Sequence, residues 1–333
     1  MQTRYGKRLD SYRLKIDLDK SKSVSAAREA SLAITPGPEI SRCPLCDSSA
    51  NVELQTIYGF TYRQCGGCDG VYVSNPPAQS DLESLYSSEY YTNSNKILLA
   101  NDNVVDFRMN QVARPKVEHV IENIVTEKRS WLDIGCGIGE TLAVAAEHDF
   151  RCVGVETNAM ERSYAQKKFG IDVRDEFIDR TTVGKYRGEW GVISLISVLE
   201  HLRDPPSILE SIADIQDKDD ALVIEVPHFP CIGAYSQMTF PDHVNRLMHP
   251  PIHLYLFSRE ALGTLLGRFG YEITHAWYFG QDFYEILSTI SLLVDRLNDS
   301  TLLEHLGPLI SEVQEVFDRH ELCDSLFVIA RKQ

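Results

Sequence analysis

Nine consecutive residues constrain this chain more than any others: Trp131-Leu132-Asp133-Ile134-Gly135-Cys136-Gly137-Ile138-Gly139. A short apolar run that ends in alternating glycines and opens into a helix lets backbone amides approach a ligand closely. The next apolar run, Val153-Gly154-Val155, ends in Glu156, an acid placed to accept bonds from ribose hydroxyls. Between the two, Glu140 to His148 reads as a helix with Leu142, Ala143, Ala145 and Ala146 on or near one face. Asn158 caps the following helix, with Glu161 as its capping-box partner and Gly170 as its stop. The order strand, glycine turn, helix, strand, acid, helix describes a nucleotide or nucleoside site on an α/β sheet.

A dinucleotide fold asks for G-x-G-x-x-G, whose last glycine lets helix and strand pack beneath a pyrophosphate. Here the third glycine comes one residue early and Asp133 precedes the first. The stretch Leu132 to Gly139 resembles the first motif of class I S-adenosylmethionine-dependent methyltransferases. The resemblance implies that the turn of Gly135, Gly137 and Gly139 lies against the methionine part of the cofactor and that Glu156 holds the ribose hydroxyls. A nucleoside sulfonium has no phosphate for a long amide cradle to neutralise, so the short turn agrees. Downstream, Trp190 to Pro205, with its Leu199-Glu200-His201 run ending in Asp204-Pro205, resembles that family's fourth strand and the turn after it.

Asp204 caps a helix with Pro205 in its first turn and a stripe of Ile208, Leu209, Ile212 and Ile215. Ala221 to Val226 reads as a fifth strand, Ser258 to Phe269 as a capped helix, Tyr271 to Ala276 as a sixth strand and Ser325 to Ala330 as a seventh. The fold expected is α/β: a doubly wound, seven-stranded Rossmann-like sheet over residues 105–333, with a helical insertion at about 283–320. Ligands in such sheets sit at the carboxyl ends of strands, where Asp133, Glu156 and Ser197 lie.

A second pattern is Cys43-Pro44-Leu45-Cys46, then 18 residues, then Cys65-Gly66-Gly67-Cys68. Two C-x-x-C knuckles at this separation bring four thiolates together tetrahedrally around zinc. Disulfides, in a secreted chain, and a redox C-x-x-C are the competing readings. Residues 62–77, with Leu85-Tyr86 and Tyr90-Tyr91, resemble the zinc-binding front end of bacterial methyltransferases that act on nucleotide-linked sugars and related polar metabolites. That resemblance implies a zinc-binding domain over residues 40–95 that packs over the acceptor pocket.

Charge argues against nucleic acid as a partner. The chain carries 33 basic and 48 acidic residues, a formal charge of -15, where phosphate contacts need the opposite sign. No apolar run approaches the roughly 18 residues of a membrane span, and the charged first 20 residues do not read as a secretory signal. Eight cysteines, four of them in the knuckles, fit a reducing cytoplasm. Residues 1–39 read as an arm or linker, ordered by a partner subunit if a homo-oligomer forms. Val117, Val120, Ile121, Ile124 and Val125 mark the first helix of the larger domain, and Ile286, Leu287, Ile290, Leu293 and Leu297 an amphipathic stretch in the insertion.

Methyl transfer is an in-line displacement, so the site must align a nucleophile and, for a weak acid, remove its proton. Histidine suits that task near neutral pH. His228, His243, His249 and His253 follow strand five and His201 follows strand four. The resemblance implies acceptor contact or proton removal for His201, and more loosely for His228, while His253 reads as a structural histidine. Sugar carbon methylating relatives often carry a Glu-His pair where this chain has Pro227-His228. The expectation is a zinc-containing S-adenosylmethionine-dependent enzyme that methylates carbon or oxygen of a nucleotide-linked sugar or similar polar metabolite. The alternatives are a hydroxylated or lipid-like acceptor and a non-catalytic cofactor-binding partner.

Overall fold

The computed structural model describes residues 1–6, 20–86, 102–177, 180–187, 190–244, 246–294 and 301–333. Tyr90, Tyr91 and Leu297 lie outside the described residues. Twelve strands are described: β1 (Gln2–Tyr5), β2 (Asn51–Ile57), β3 (Phe60–Cys65), β4 (Val71–Val73), β5 (Ser130–Ile134), β6 (Arg151–Val155), β7 (Asp172–Arg174), β8 (Val192–Ile196), β9 (Ala221–Pro227), β10 (Tyr255–Leu256), β11 (Tyr271–Phe279) and β12 (Ser325–Lys332).

Eight of them form one sheet in the order β1-β11-β12-β9-β8-β5-β6-β7. The strands from β7 to β9 run parallel, and β12 is antiparallel to both of its neighbours. Every residue of β5 and β9 is buried, as parallel strands covered by helices on both faces require. Register places Asp133 between Gly154 of β6 and Ser194 of β8. The Trp131 indole donates to Ser194 Oγ at 2.8 Å, and Ser194 donates to Asp133 at 2.5 Å. This chain of bonds ties the two central strands just below the glycine turn.

The seven strands expected over residues 105–333 are all in this sheet, and an eighth joins them from outside that range. Residues 2–5, read as part of an arm, pair in parallel with His275 to Tyr278 at the edge of the sheet. Gln-Thr-Arg-Tyr has no apolar alternation because an edge strand draws on backbone pairing and on side chains laid across its neighbour. The Arg4 guanidinium lies 3.9 Å from the centre of the Trp277 ring, and Tyr5 stacks on Tyr278. Lys20–Leu32 is also a helix, and its Arg28 pairs with Asp242 at 3.6 Å. Those parts of residues 1–39 are therefore ordered by the chain's own body.

The cysteine module is a second sheet in the order β10-β4-β3-β2. β2 and β3 are joined by Tyr58 and Gly59, both at positive φ, a two-residue hairpin turn. The boundary expected at residue 95 is crossed here, since β10 comes from the larger unit and pairs with β4. Tyr62 donates from its phenol to the His253 carbonyl at 2.7 Å, Ser258 to the Cys68 carbonyl at 3.1 Å and Arg268 to the Leu45 carbonyl at 2.9 Å. One apolar core runs from Leu45, Phe60 and Val71 to Leu262 and Leu265 without a break.

In the insertion, Asp282–Leu293 is a helix whose buried face carries Tyr284, Leu287, Ser288 and Ser291 with the acids Asp282 and Glu285, while Leu293 is exposed. Of the apolar stripe, Leu287 is buried and Ile286 and Ile290 half-buried, so the stripe marks only part of the buried side. Asp282 accepts from the Gly233 amide at 2.8 Å and Glu285 pairs with Arg246 at 3.9 Å, so polar bonds hold this face inward.

Candidate functional site

The turn after β5 is shaped by three glycines at positive φ, Gly135 at 72°, Gly137 at 54° and Gly139 at 81°. The amides of Gly135 and Cys136 donate to the Val155 carbonyl at 2.8 and 3.0 Å, which pulls the turn against the end of β6. A Cβ on Gly135 would stand 2.5 Å from Val198, whereas one on Gly137 would meet nothing within 4 Å. Gly135 is thus needed for close packing, and Gly137 for its left-handed backbone beside open space. Gly139 is the N-cap of the helix Glu140–Glu147.

Glu156 reaches back to this turn. Its Oε2 accepts from the Gly137 amide at 3.0 Å and its Oε1 from the Asn158 amide at 2.8 Å. Asn158 caps the next helix as expected, accepting from Met160 and Glu161. Because Glu156 takes the Asn158 amide, Glu161 does not close the expected capping box. Burial instead raises the Glu161 carboxyl to about 8, with Glu156 adding to the rise and Arg108 opposing it. Arg108 grips Glu140 through two bonds, at 2.7 and 2.8 Å, and so clamps the start of the glycine helix.

Gly135, Val155 and Glu156 open into a cavity of about 600 Å³. Beyond β7, Glu176 and Phe177 line its other end, and Leu82, Glu83 and Tyr86 of the helix Gln79–Tyr86 form a wall that follows the cysteine module in the chain. Val198, His201, Leu202, Arg203 and Ile208 form the side after β8, and Arg180 stands at the rim. Arg180 pairs with Glu210 at 3.1 Å. Arg203 makes no ion pair among the described residues. Neither Glu176 nor Phe177 carries a motif in sequence; an acidic residue just past a strand end is the one signal by which Glu176 could be found.

Not every expected site residue reaches the cavity. Asp133 is buried beneath the turn, where burial raises its carboxyl to about 7 against the bond from Ser194, and it supports the turn rather than facing a ligand. Ser197 takes a positive φ of 55° and donates its amide to the Glu225 carbonyl at 3.0 Å, which turns the chain from β8 toward His201. His228 is buried away from the cavity wall. Its Nδ1 bonds the Cys323 carbonyl at 2.9 Å and its ring meets Tyr278 edge-on, so the structure does not bring it to the site expected of a base.

His201 stands in the wall on a short 3-10 turn, Leu199–His201. Its Nδ1 bonds the Ile252 carbonyl at 2.8 Å. Burial lowers its pKa to about 4, against the opposite pull of the Ile252 and Ser197 carbonyls, so the ring is neutral near pH 7. The ring meets Tyr86 edge-on at 5.9 Å and His253 at 4.9 Å between centroids. His253 bonds the Leu247 carbonyl through Nδ1 at 2.9 Å.

Cys43, Cys46, Cys65 and Cys68 converge so that their sulfurs all lie within 4.8 Å of one another. Cys43 and Cys68 are 3.8 Å apart and Cys46 and Cys65 are 3.5 Å apart. Those separations are too long for disulfides. They match the roughly 3.8 Å between sulfurs set by zinc bonds of about 2.3 Å in a tetrahedron. The Gly67 amide donates to Cys65 Sγ at 3.3 Å, as knuckle backbones do toward a thiolate. The four side chains fit a zinc ion.

A family model described as a methyltransferase domain matches residues 108–276. Among curated proteins, none matches the sequence significantly. Among solved structures, the chain is similar to magnesium protoporphyrin IX methyltransferase from Synechocystis PCC 6803 with bound SAH. The TM-score is 0.51 at 12% identity, over 77% of this chain and 100% of that one. It is also similar to a SAM dependent methyltransferase from Archaeoglobus fulgidus, with a TM-score of 0.48 at 19% identity, over 73% of this chain and 100% of that one. At such identities the likeness is one of fold. No described helix is long and apolar enough to cross a membrane.

Proposed function

Because this chain belongs to the methyltransferase-domain family and is an S-adenosylmethionine-dependent methyltransferase, we propose that it methylates a polar small metabolite such as a nucleotide-linked sugar. One observation carries this reading: Gly135 of the glycine turn, Glu156, His201 and Arg203 all line one cavity, closed on one side by the helix that follows the cysteine module. Bound S-adenosylmethionine supplies an electrophilic methyl group on sulfur.

The chain's own residues divide the remaining work. Glu156 would accept the ribose hydroxyls, and the turn of Gly135, Gly137 and Gly139 would lie along the methionine part. Phe177 and Glu176 offer an aromatic face and an acceptor to the base end. Val155, Val198, Leu202 and Ile208 give the cavity apolar lining that would exclude water around a bound cofactor and so sharpen charge interactions there. Arg203, and Arg180 at the rim, suit an acceptor that carries phosphate or carboxylate. His201 stands on the acceptor side of this apolar stretch, and its neutral ring suits contact with an acceptor hydroxyl or removal of its proton. Cys43, Cys46, Cys65 and Cys68 would hold a structural zinc that fixes the module behind the wall.

The test is turnover over a panel of nucleotide-linked sugars and apolar hydroxylated compounds, read by mass spectrometry, with His201→Gln run in parallel. Methylation of the anionic acceptors, slowed on the order of 100-fold by the substitution while cofactor affinity holds, is the expected outcome. Turnover confined to apolar acceptors would replace the acceptor reading, and full activity of His201→Gln would remove His201 from the chemistry.

A further inference from the structure

A second cluster of ligand-type atoms stands behind the cavity wall, apart from the four cysteines. Glu200, His201 and His253 each offer one such atom, and the three lie within 4.8 Å of one another. Both imidazoles are anchored the same way, by Nδ1 on a backbone carbonyl, Ile252 for His201 and Leu247 for His253. A carbonyl only accepts, so each Nδ1 carries the proton and each Nε2 is the unprotonated ring nitrogen, with the Ser197 carbonyl also close to the His201 ring. Anchoring one ring nitrogen on a carbonyl is how metal sites orient their histidines.

Glu200 adds the observation that points to a ligand. Its side chain is buried at 1% exposure, and its Oε2 has no hydrogen-bond partner among the described residues. Oε1 of the same carboxyl lies 3.7 Å from His201 Nε2. An orphaned carboxyl oxygen at this depth is costly unless a cation or a bonded donor sits against it.

We propose that Glu200, His201 and His253 form a binding site for a divalent first-row transition-metal ion at the acceptor side of the cavity. Its purpose rests on the methyl-transfer reading above; its existence does not. Two imidazole nitrogens and one carboxylate are a ligand set for zinc, iron(II) or manganese(II). Bonds of about 2.1 Å in a tetrahedron place ligand atoms about 3.4 Å apart, so the cluster closes by side-chain shifts on the order of 1 Å. Three protein ligands leave a coordination position open. His201 lines the cavity, so that position would be open to an acceptor bound there. An oxygen of the acceptor bound there would be held in place and polarised, and His201 would act through the ion.

The experiment loads the purified full chain with zinc by dialysis and counts the metal, with S-adenosylhomocysteine affinity measured on the same samples. Two zinc ions per chain are expected in the wild type, and one each in Glu200→Gln and His253→Gln, with cofactor affinity held in both. His253→Gln is the sharper variant because His253 is outside the cavity wall, so that losing an ion there does not also remove a side chain from the lining. Two ions retained in both variants, or a single ion in the wild type, overturns the site. Should either variant fail to fold, cobalt(II) spectra of the wild type decide. A second equivalent without thiolate charge-transfer bands supports the site, and thiolate bands alone overturn it. Lack of cofactor binding by the wild type would sink the methyl-transfer reading while leaving the ion count to stand or fall separately.

Discussion

The glycine turn and the cysteine module hold their residues by opposite means. The turn stands on β5, whose five residues are all buried between β6 and β8, so its position is set by area: many apolar contacts, each small. The module stands on two knuckles, a hairpin and the three residues of β4, and it borrows β10 to complete its sheet. A piece that small does not bury enough surface by itself, and four convergent thiols supply what area does not. With the zinc proposed above, placing the site between the two would make one wall dependent on a metal and the other independent of it.

That contrast predicts unequal damage. The largest effect is expected from Cys46→Ser combined with Cys65→Ser, which removes two of four ligands. Zinc content should fall by about one ion per chain, and turnover should drop on the order of 100-fold or more as the helix Gln79–Tyr86 loses its support. Affinity for S-adenosylhomocysteine, which depends on the other wall, should change less than about fivefold. An equal loss of both would show that the walls are not independent.

The converse variant is Glu156→Ala. Cofactor affinity measured by calorimetry should weaken by about 10 to 100-fold, the worth of hydrogen bonds to a charged acceptor, while zinc content is unchanged. An unaltered dissociation constant would exclude Glu156 as the ribose ligand.

The smallest effect concerns the sheet alone. His119 is buried against Trp277 and Phe327, and burial lowers its pKa to about 4, with Arg4 and His275 adding to the fall. The unfolded chain takes up this proton near pH 6.5 and the folded chain only near pH 4. The folded state therefore gains stability from the neutral ring that is full above about pH 6.5 and lost as the pH falls toward 4. In His119→Phe the drop in melting temperature from pH 7 to pH 4.5 should be smaller than in the wild type, by on the order of 3 °C. An identical drop would mean that His119 is not held neutral.

What could be read in advance follows the range of the forces involved. The glycine spacing, Asn158 and Asp204 as caps, the stripe of Ile208, Leu209, Ile212 and Ile215, and the two knuckles are local in the chain, and each forms as its residues imply. β1 escaped notice because an edge strand of four polar residues is chosen by the partner it lies against. The apolar stripe marks only part of the buried side of Asp282–Leu293, because bonds from Gly233 and Gln314 also hold Asp282 inward. His201 and His228 look alike in sequence, each at a strand end, yet one lines the cavity and the other packs on Tyr278.

Sequence alone determined the chemistry on offer: a glycine turn whose left-handed backbone few other residues accept, an acid one strand on, and four thiols in knuckle spacing. Each is fixed by bonds between near neighbours, so pattern suffices. Tertiary structure alone decided which histidine meets the cavity, that Asp133 lies beneath the turn, and that Glu200 and His253 stand beside His201. Those juxtapositions come from how β8, β9 and the loop through Leu247 and Ile252 pack together, and packing is a property of the whole chain.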